Sequence, residues 1–169
     1  MDAKGLRVYD SLVKPDKPIT DYLTRYSGLS AEKLAGVTTR LEDIQAKLAE
    51  LIDYNTILIG HSLECDLRVL KVSPRLSRHR SLADPFIQLI HPWVIDTSVI
   101  YQHPRGPPFK ASLKWLAQKW LKKDIQNAVA GQNSVGGHDS EEDARTCIDL
   151  LNLKMQKGQS SNLSSLFRF

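Results

Sequence analysis

The residues best suited to acid–base or metal chemistry lie in the stretch HDSEED, where an apolar helical pattern begins. Within six residues it carries one histidine and four carboxylates: His138, Asp139, Glu141, Glu142 and Asp143. Acids in a first helical turn complement the helix dipole, and Ser140 with Asp143 would form a capping box, so this charge has a structural explanation. The functional alternative is that His138, on a glycine-rich loop, and Asp143 approach one point. Asp143 would then hold Mg²⁺ or Mn²⁺ and His138 would take a proton from water, while the other acids are mostly solvated.

A second candidate is Asp66 in GHSLECDL, residues 60–67, which follows a short apolar strand and opens a helix. Sites in α/β proteins form at the carboxyl ends of strands, so Asp66 can point back over the strand end. The structural alternative is a solvated acid on an amphipathic helix. His61 is better explained as a turn or capping residue. A zinc site built on His61 and Cys65 is disfavoured because paired short ligand spacings are absent, and Cys147 fits a core stripe.

A third candidate is the basic, aromatic stretch 103–123. Its cations offer phosphate contacts, and the rings of Phe109 and Trp115 offer stacking surfaces for bases. Lysines on a solvated helix face are common, however, and Trp120 falls on the apolar stripe that predicts core. The proline-rich loop PRGPPFK, with Arg105 and Lys110, is therefore the better candidate for substrate contacts.

Composition bounds the class of protein. The chain has 169 residues, 41% of them hydrophobic, with a net charge of +4, as expected for one globular domain that mildly favours a polyanionic partner. No apolar run is long enough for a membrane span, and the N-terminus shows neither a signal nor a transit peptide. Two cysteines without a C-x-x-C motif indicate a reducing compartment.

The pattern of elements predicts an α/β fold around a mostly parallel sheet. Three strands are indicated, which is few for such a sheet, at residues 6–13, 56–60 and 94–100. Helices are indicated after Ser30, over 40–53 with a Thr39–Glu42 capping box, over 62–71, from Ser112 and from residue 140 onwards. The basic stretch 73–89 interrupts the path from helix to strand, and the Ser-rich residues 157–169 resemble a disordered tail.

Four separated motifs, in order, resemble one family. GHSLECDLRVLK, VIDTSVIY, HPRGPPFKASLKWLAQKWL and GGHDSEEDARTCIDLL are similar to the DEDDh (DnaQ-like) 3′→5′ exonucleases, in particular the eukaryotic RNA exonuclease subfamily. The opening segment, residues 8–48, is also similar. Only residues 73–89 and the tail lie outside the resemblance.

The resemblance implies an RNase H-like α/β fold, a mixed sheet flanked by helices, over residues 1–156. It implies a nuclear or nucleolar hydrolase that binds single-stranded RNA 3′ ends, processes RNA and releases nucleoside monophosphates with two Mg²⁺ or Mn²⁺ ions. Asp66 and Asp143 would be metal ligands and His138 the general base. The substrate would contact five further residues: His61, Leu63, Arg105, Phe109 and Lys110.

Two departures from the family pattern qualify this expectation. The first motif, a strand bearing aspartate-x-glutamate, is absent from these 169 residues, so two of four carboxylates and the first strand are expected to be missing. Residues 73–89 resemble an insertion. The competing hypothesis is therefore a truncated, catalytically inactive chain that at most binds RNA.

Overall fold

The computed structural model describes residues 1–53, 55–70, 93–127 and 138–159. Two strands and seven α-helices occur in this part of the chain, together with one π-helical turn at Ala117–Leu121. In chain order the elements are α1 Thr24–Ser27, α2 Ala31–Ala35, α3 Leu41–Leu51, β1 Leu58–Gly60, α4 Leu63–Leu70, β2 Val94–Asp96, α5 Thr97–Ile100, α6 Leu113–Leu116 and α7 Ser140–Gln159. None of the helices described is long and apolar enough to cross a membrane.

The two strands form a parallel pair whose carboxyl ends lie side by side. Leu58 is in register with Val94, and Gly60 with Asp96. The strand predicted over 94–100 is wrong in its second half, where α5 begins at Thr97. The reason is that the Asp96 carboxylate accepts a hydrogen bond from Ser98 N at 2.8 Å and so caps a helix.

Helix positions follow the apolar periodicity, but two caps differ from prediction. Helix α3 is capped by Arg40 with Asp43, whose carboxylate accepts from Arg40 N at 2.8 Å, rather than by Thr39 with Glu42. Helix α7 is capped by Asp139, which accepts from Glu141 N and Glu142 N at 2.9 and 3.2 Å. In both helices the side chain that caps the free backbone N–H groups is one residue away from the side chain that was predicted to do so.

The N-terminal segment does not form its predicted strand. Residues 6–13 have no strand pairing among the residues described, and Leu6 and Val8 are 62% and 53% exposed. A β-prone pattern without a partner strand leaves backbone groups to water. At the other end, α7 continues through Gln159, so residues 157–159 of the predicted tail are helical. The predicted insertion 73–89 lies outside the described residues.

The core lies between α7, α6 and the π-helical turn. Leu116, Ala117, Cys147 and Leu150 are buried there, and the Tyr101 hydroxyl donates to the Leu150 carbonyl at 2.9 Å. Trp120, predicted in the core, is 36% exposed. The π-helical turn changes the angular spacing that a 3.6-residue repeat assumes, and this places Trp120 at the rim.

Candidate active site

His138 and Asp143 form a direct hydrogen-bonded pair at the start of α7. His138 Nδ1 lies 2.8 Å from Asp143 Oδ2, and the side chains are 55% and 20% exposed. Because a carboxylate is an acceptor, the proton of this bond belongs to Nδ1, which leaves Nε2 able to accept a proton in the neutral ring. The predicted approach of the loop histidine and the helix carboxylate is therefore present. The backbone N–H of His138 also donates to the Tyr26 carbonyl at 2.8 Å.

Gln126 completes this cluster, and sequence reasoning missed it. Its Nε2 donates to Asp143 Oδ1 at 2.9 Å and lies 3.0 Å from His138 Nδ1. Its backbone N–H donates to Glu142 Oε2 at 2.9 Å. Gln126 has φ +58°, a left-handed conformation that costs a non-glycine residue about 1 kcal/mol. Both carboxylate oxygens of Asp143 therefore accept hydrogen bonds from side chains. The Glu142 carboxylate holds the backbone of Gln126, whose side chain is one of these donors.

The remaining acids of HDSEED have structural partners: Asp139 is exposed as expected, whereas Glu141 and Glu142 are only partly exposed. Asp139 caps α7, and Glu142 accepts from Gln126. Glu141 pairs with Arg145 at 3.0 Å and with Arg7 at 3.3 Å. Sequence spacing cannot separate these roles, because all four acids lie within one helical turn.

Asp66 lies on α4, the helix that leaves the end of β1. Partial burial raises the pKa of its carboxyl and the nearby Glu64 and Asp96 charges raise it further, whereas a hydrogen bond from its own backbone and, to a smaller extent, His61 lower it. Helix α4 is held in place by Asp96, whose carboxylate accepts from Ser62 N and Leu63 N at 2.9 and 3.1 Å. Burial alone would raise the pKa of Asp96, but hydrogen bonds from Ser98, Ser62 and Leu63 outweigh it and lower the pKa.

Gly60 allows this close arrangement. A Cβ built on Gly60 would lie 2.5 Å from Leu63 Cδ2 and 2.7 Å from Cγ, which is closer than side chains can pack. Leu63 therefore closes tightly over the end of β1. Its predicted contact with substrate stays a prediction.

His61 joins the two strand ends. Its Nδ1 lies 3.0 Å from Thr97 Oγ1, and this buried hydroxyl donates to the Gly60 carbonyl at 2.9 Å. Burial lowers the pKa of His61, opposed by the Asp96 charge, a backbone bond with Ala111 and the Asp143 charge. This position agrees with the prediction that His61 is a turn or capping residue. Its predicted contact with substrate stays a prediction.

Burial and three carboxylates, Asp66 on α4, Asp96 on β2 and Asp143 on α7, raise the pKa of the Cys147 thiol. Burial raises the pKa of the Cys147 thiol to about 11, with smaller contributions from the charges of Asp143, Asp96 and Asp66. A thiol with so high a pKa is a poor metal ligand. The zinc alternative is thus disfavoured further, since Cys65 is exposed and Cys147 buried. Convergence of Asp66 and Asp143 on one acidic cleft, with His138 at its rim, stays a prediction.

The donor set does not by itself fit two divalent cations. Asp66 suits a cation, because it is a partly buried carboxylate among other acids, whereas Asp143 uses both oxygens for Gln126 and His138. Among residues 1–53, 55–70, 93–127 and 138–159, no three or more His, Cys, Asp or Glu side chains are grouped so that they could hold a metal ion. Two dications need more carboxylate charge than two aspartates provide.

The predicted substrate residues 105–110 lie on one exposed loop. The Arg105 guanidinium lies 5.6 Å from the centroid of the Phe109 ring. Lys110 forms an ion pair with Glu64 in the first turn of α4, which raises the pKa of Lys110 and lowers that of Glu64. The loop is thereby tied to the helix that carries Asp66.

A parallel strand pair with a helix starting at each strand end is the arrangement of an α/β domain. The family model described as Exonuclease (RNase_T) matches residues 2–151, and the chain belongs to this exonuclease family. RNA exonuclease 1 of Saccharomyces cerevisiae is 45% identical over 152 residues, which are 89% of this chain and 23% of that protein. An uncharacterized exonuclease of Schizosaccharomyces pombe is 48% identical over 163 residues, 96% of this chain and 22% of its own length. The chain therefore spans less than a quarter of the length of these relatives.

Solved structures agree with the fold. The Pan2 catalytic unit of Neurospora crassa, with protease and nuclease domains, is 29% identical with a TM-score of 0.62, over 91% of this chain and 23% of that one. A Saccharomyces cerevisiae Pan2 pseudoubiquitin hydrolase–RNA exonuclease module in complex with AACCAA RNA is 26% identical, with a TM-score of 0.65 over 96% of this chain and 24% of that one. The expected RNase H-like fold is confirmed.

Proposed function

We propose that these residues form part of a 3′→5′ exoribonuclease that shortens single-stranded RNA from its 3′ end and releases nucleoside monophosphates. The observation that carries this proposal is the His138–Asp143 pair, with His138 Nδ1 donating to Asp143 Oδ2 at 2.8 Å. The proposal is supported by relatives named RNA exonuclease and by a solved relative with bound RNA.

In this reaction His138 is the proton acceptor. A water molecule attacks the phosphorus of the last phosphodiester and one of its protons passes to His138 Nε2. The bond to the 3′-oxygen of the preceding nucleotide breaks, and this oxygen leaves as a 3′-hydroxyl after taking a proton from solvent. Asp143 fixes the ring tautomer by accepting from Nδ1, and stabilises the imidazolium that forms. Gln126 holds the second Asp143 oxygen and so limits rotation of the carboxylate.

A second candidate function is RNA binding without hydrolysis. The observation that favours it is the donor set: Asp66 and Asp143 match the resemblance, and the described residues contain no group of three metal-binding side chains. We propose that hydrolysis needs further carboxylates beyond Asp66 and Asp143, arranged as the aspartate-x-glutamate strand of the family arranges them. A requirement for Mg²⁺ or Mn²⁺, the divalent cations that the resemblance implies, is part of the same proposal.

The decisive experiment assays labelled single-stranded RNA with Mg²⁺ or Mn²⁺. The 169-residue chain is compared with a version extended at the N-terminus by a family-type strand bearing aspartate-x-glutamate. We expect stepwise 3′ shortening by the extended version only, lost in Asp143→Asn and reduced in kcat for His138→Ala. Glu141→Gln, on the same helical turn, is the matched control and should keep full activity.

Each competing explanation predicts a different result in this assay. Stepwise shortening by the unextended chain, abolished by Asp66→Asn, would show that two aspartates suffice. An extended version that binds RNA and never shortens it would favour the binding function. RNA degraded from the 5′ end would contradict the proposed direction.

The RNA contact of the 105–110 loop is tested by salt dependence. Arg105→Gln should reduce the slope of log affinity against log salt by roughly 0.7, the value for one phosphate contact on single strands. Glu64→Gln should strengthen binding, because it releases Lys110 from its ion pair. Unchanged slopes and affinities in both variants would count against this loop as the substrate contact.

We also propose a nuclear location, which the resemblance implies. Imaging of a fluorescently tagged full-length protein, compared with a nuclear and a cytosolic marker, tests it. Exclusion from the nucleus would overturn the proposal.

A further inference from the structure

Beyond the 105–110 loop, rings and cations continue in contact across the surface. The His103 ring lies 5.7 Å from the Phe109 ring and 6.4 Å from the Trp115 ring. Lys119 Nζ lies 4.4 Å from the centroid of Trp115 and 5.4 Å from that of Trp120. Lys157 Nζ lies 4.6 Å from the centroid of Trp120. We call Trp115, Lys119, Trp120 and Lys157, together with the adjoining Lys154, the distal band.

Two distant parts of the chain build the distal band. Helix α6 and the π-helical turn supply Trp115, Lys119 and Trp120, while the C-terminal half of α7 supplies Lys157. The neighbouring Lys154 Nζ lies 5.2 Å from the centroid of Tyr101, whose ring is 5.5 Å from that of Trp120. Trp120 is 36% exposed, and Lys119 and Lys157 lie on its ring.

The distal band lies at the opposite end of α7 from the His138–Asp143 pair. At 100° and 1.5 Å per residue, Lys154 and Lys157 project within about 40° of Asp143 around the helix axis, and Lys157 is roughly 21 Å along it. Buried Cys147 and Leu150 occupy the same face between them. Cys147 and Leu150 lie in one buried cluster with Leu113 and Leu116 of α6. The rings of His103 and Phe109 lead from Trp115 to the 105–110 loop and offer a ligand one path across this surface.

We propose that the distal band binds single-stranded RNA on the 5′ side of the nucleotide held at the candidate active site. This inference rests on the proposed RNA substrate. Lysines beside partly exposed aromatic rings match the repeat of a single strand, in which phosphates alternate with bases that stack on any ring. The neighbouring Lys122 is exposed as well, and Lys123 pairs with Asp149 at 2.6 Å. The surface thus carries an excess of positive charge that complements a polyanion.

A purely structural role for these lysines is the main competing explanation. Lysine stems can shield tryptophan rings from water without binding anything. A second competitor is an acidic protein partner, which the same charge would attract. RNA binding, a structural role and an acidic protein partner predict different effects of lysine neutralisation on RNA affinity. They also predict competition by different polymers.

The experiment measures RNA binding by fluorescence anisotropy in EDTA, so that it does not depend on hydrolysis. The test variant combines Lys119→Gln, Lys154→Gln and Lys157→Gln. The control variant combines Lys4→Gln, Lys17→Gln and Lys33→Gln, three exposed lysines of the N-terminal region, and has the same net charge. Each protein is titrated with RNAs of about 6 and about 24 nucleotides, lengths that bracket one single-strand binding site.

For the long RNA we expect the test variant to lose about 2 from its salt slope, and on the order of 10- to 100-fold in affinity at 0.1 M salt. Affinity for the short RNA, and both affinities of the control variant, should change by less than about 3-fold. Trp120→Phe keeps a smaller ring and should weaken long-RNA binding only partly, with Tm reported alongside.

Three results would overturn the proposal. The first is a long-RNA slope in the test variant equal to that of the control variant, with only Tm lowered. The second is equal weakening for short and long RNA. The third is competition by polyglutamate as effective as competition by unlabelled RNA. None of these outcomes bears on 3′ shortening, which is measured separately with divalent cations, so failure of this inference and failure of the exonuclease proposal are distinguishable.

Discussion

Asp96 should be the most sensitive structural residue beside the candidate site. Its carboxylate accepts three backbone N–H groups, from Ser62 at 2.9 Å, Leu63 at 3.1 Å and Ser98 at 2.8 Å. Hydrogen bonds to a buried charged group contribute about 1.5–3 kcal/mol each, and part exposure of Asp96 reduces this to about 1 kcal/mol. Asp96→Ala should therefore lower the free energy of unfolding by about 3 kcal/mol, and Asp96→Asn by about half of that.

Urea denaturation followed by circular dichroism measures this effect, with Asp10→Ala as the exposed control. The pH dependence gives a second readout. Because the folded-state pKa of Asp96 is lowered, its stabilisation is complete above the unfolded pKa of about 3.9 and is lost as the pH falls through the folded value. The gap between wild type and Asp96→Asn should accordingly close in acid. A cost for Asp96→Ala no larger than for Asp10→Ala would refute the reasoning.

Three further predictions concern the same region. Gln126→Ala should destabilise by about 1 kcal/mol through the lost bond to Asp143, whereas Gln126→Gly should be more stable than Gln126→Ala because glycine tolerates φ +58°; equal stabilities would contradict the strain. Gly60→Ala should cost about 1–3 kcal/mol by overpacking against Leu63, and an added Leu63→Ala should recover part of this loss in the same urea titration. Asp66→Asn should raise the urea midpoint of unfolding at pH 7, because the raised pKa of Asp66 in the folded state means that its charged carboxyl destabilises the fold there. This gain should vanish as the pH falls through that pKa. A lowered midpoint at pH 7 would show that a partner stabilises the Asp66 charge.

Local patterns predicted the parts of the fold that depend on neighbours in sequence. The apolar spacing of Ile44 with Leu48, and of Leu63 with Leu67 and Leu70, gave helices that the structure confirms as α3 and α4. The His138–Asp143 approach was also accessible, because five residues at a helix start keep two side chains within reach. Residues 6–13 failed as a strand, since strand formation depends on a partner that propensity cannot supply.

Long-range contacts explain what the sequence could not predict. Asp96 looks like a residue within the strand 94–100, and its bonds to Ser62 and Leu63 join segments that are far apart in the chain. Gln126 carries no motif, and its role depends on an unusual backbone angle. Trp120 has core-like spacing only if the helix keeps 3.6 residues per turn, and the π-helical turn removes that condition.

The two aspartates of the candidate site differ in what their surroundings do to their charge, and this difference separates their roles. Asp143 has a donor on each oxygen, from His138 and Gln126, so its charge is already used to orient the base. Asp66 has its pKa raised by burial and by the charges of Glu64 and Asp96, while the nearby Lys110 is bound to Glu64. A carboxylate kept in surroundings that disfavour its charge costs stability, and such costs are typical of residues retained for binding or catalysis. Charge removal should therefore separate stability from function at Asp66 and reduce both at Asp143, which makes this pair of variants the most direct comparison of the two positions.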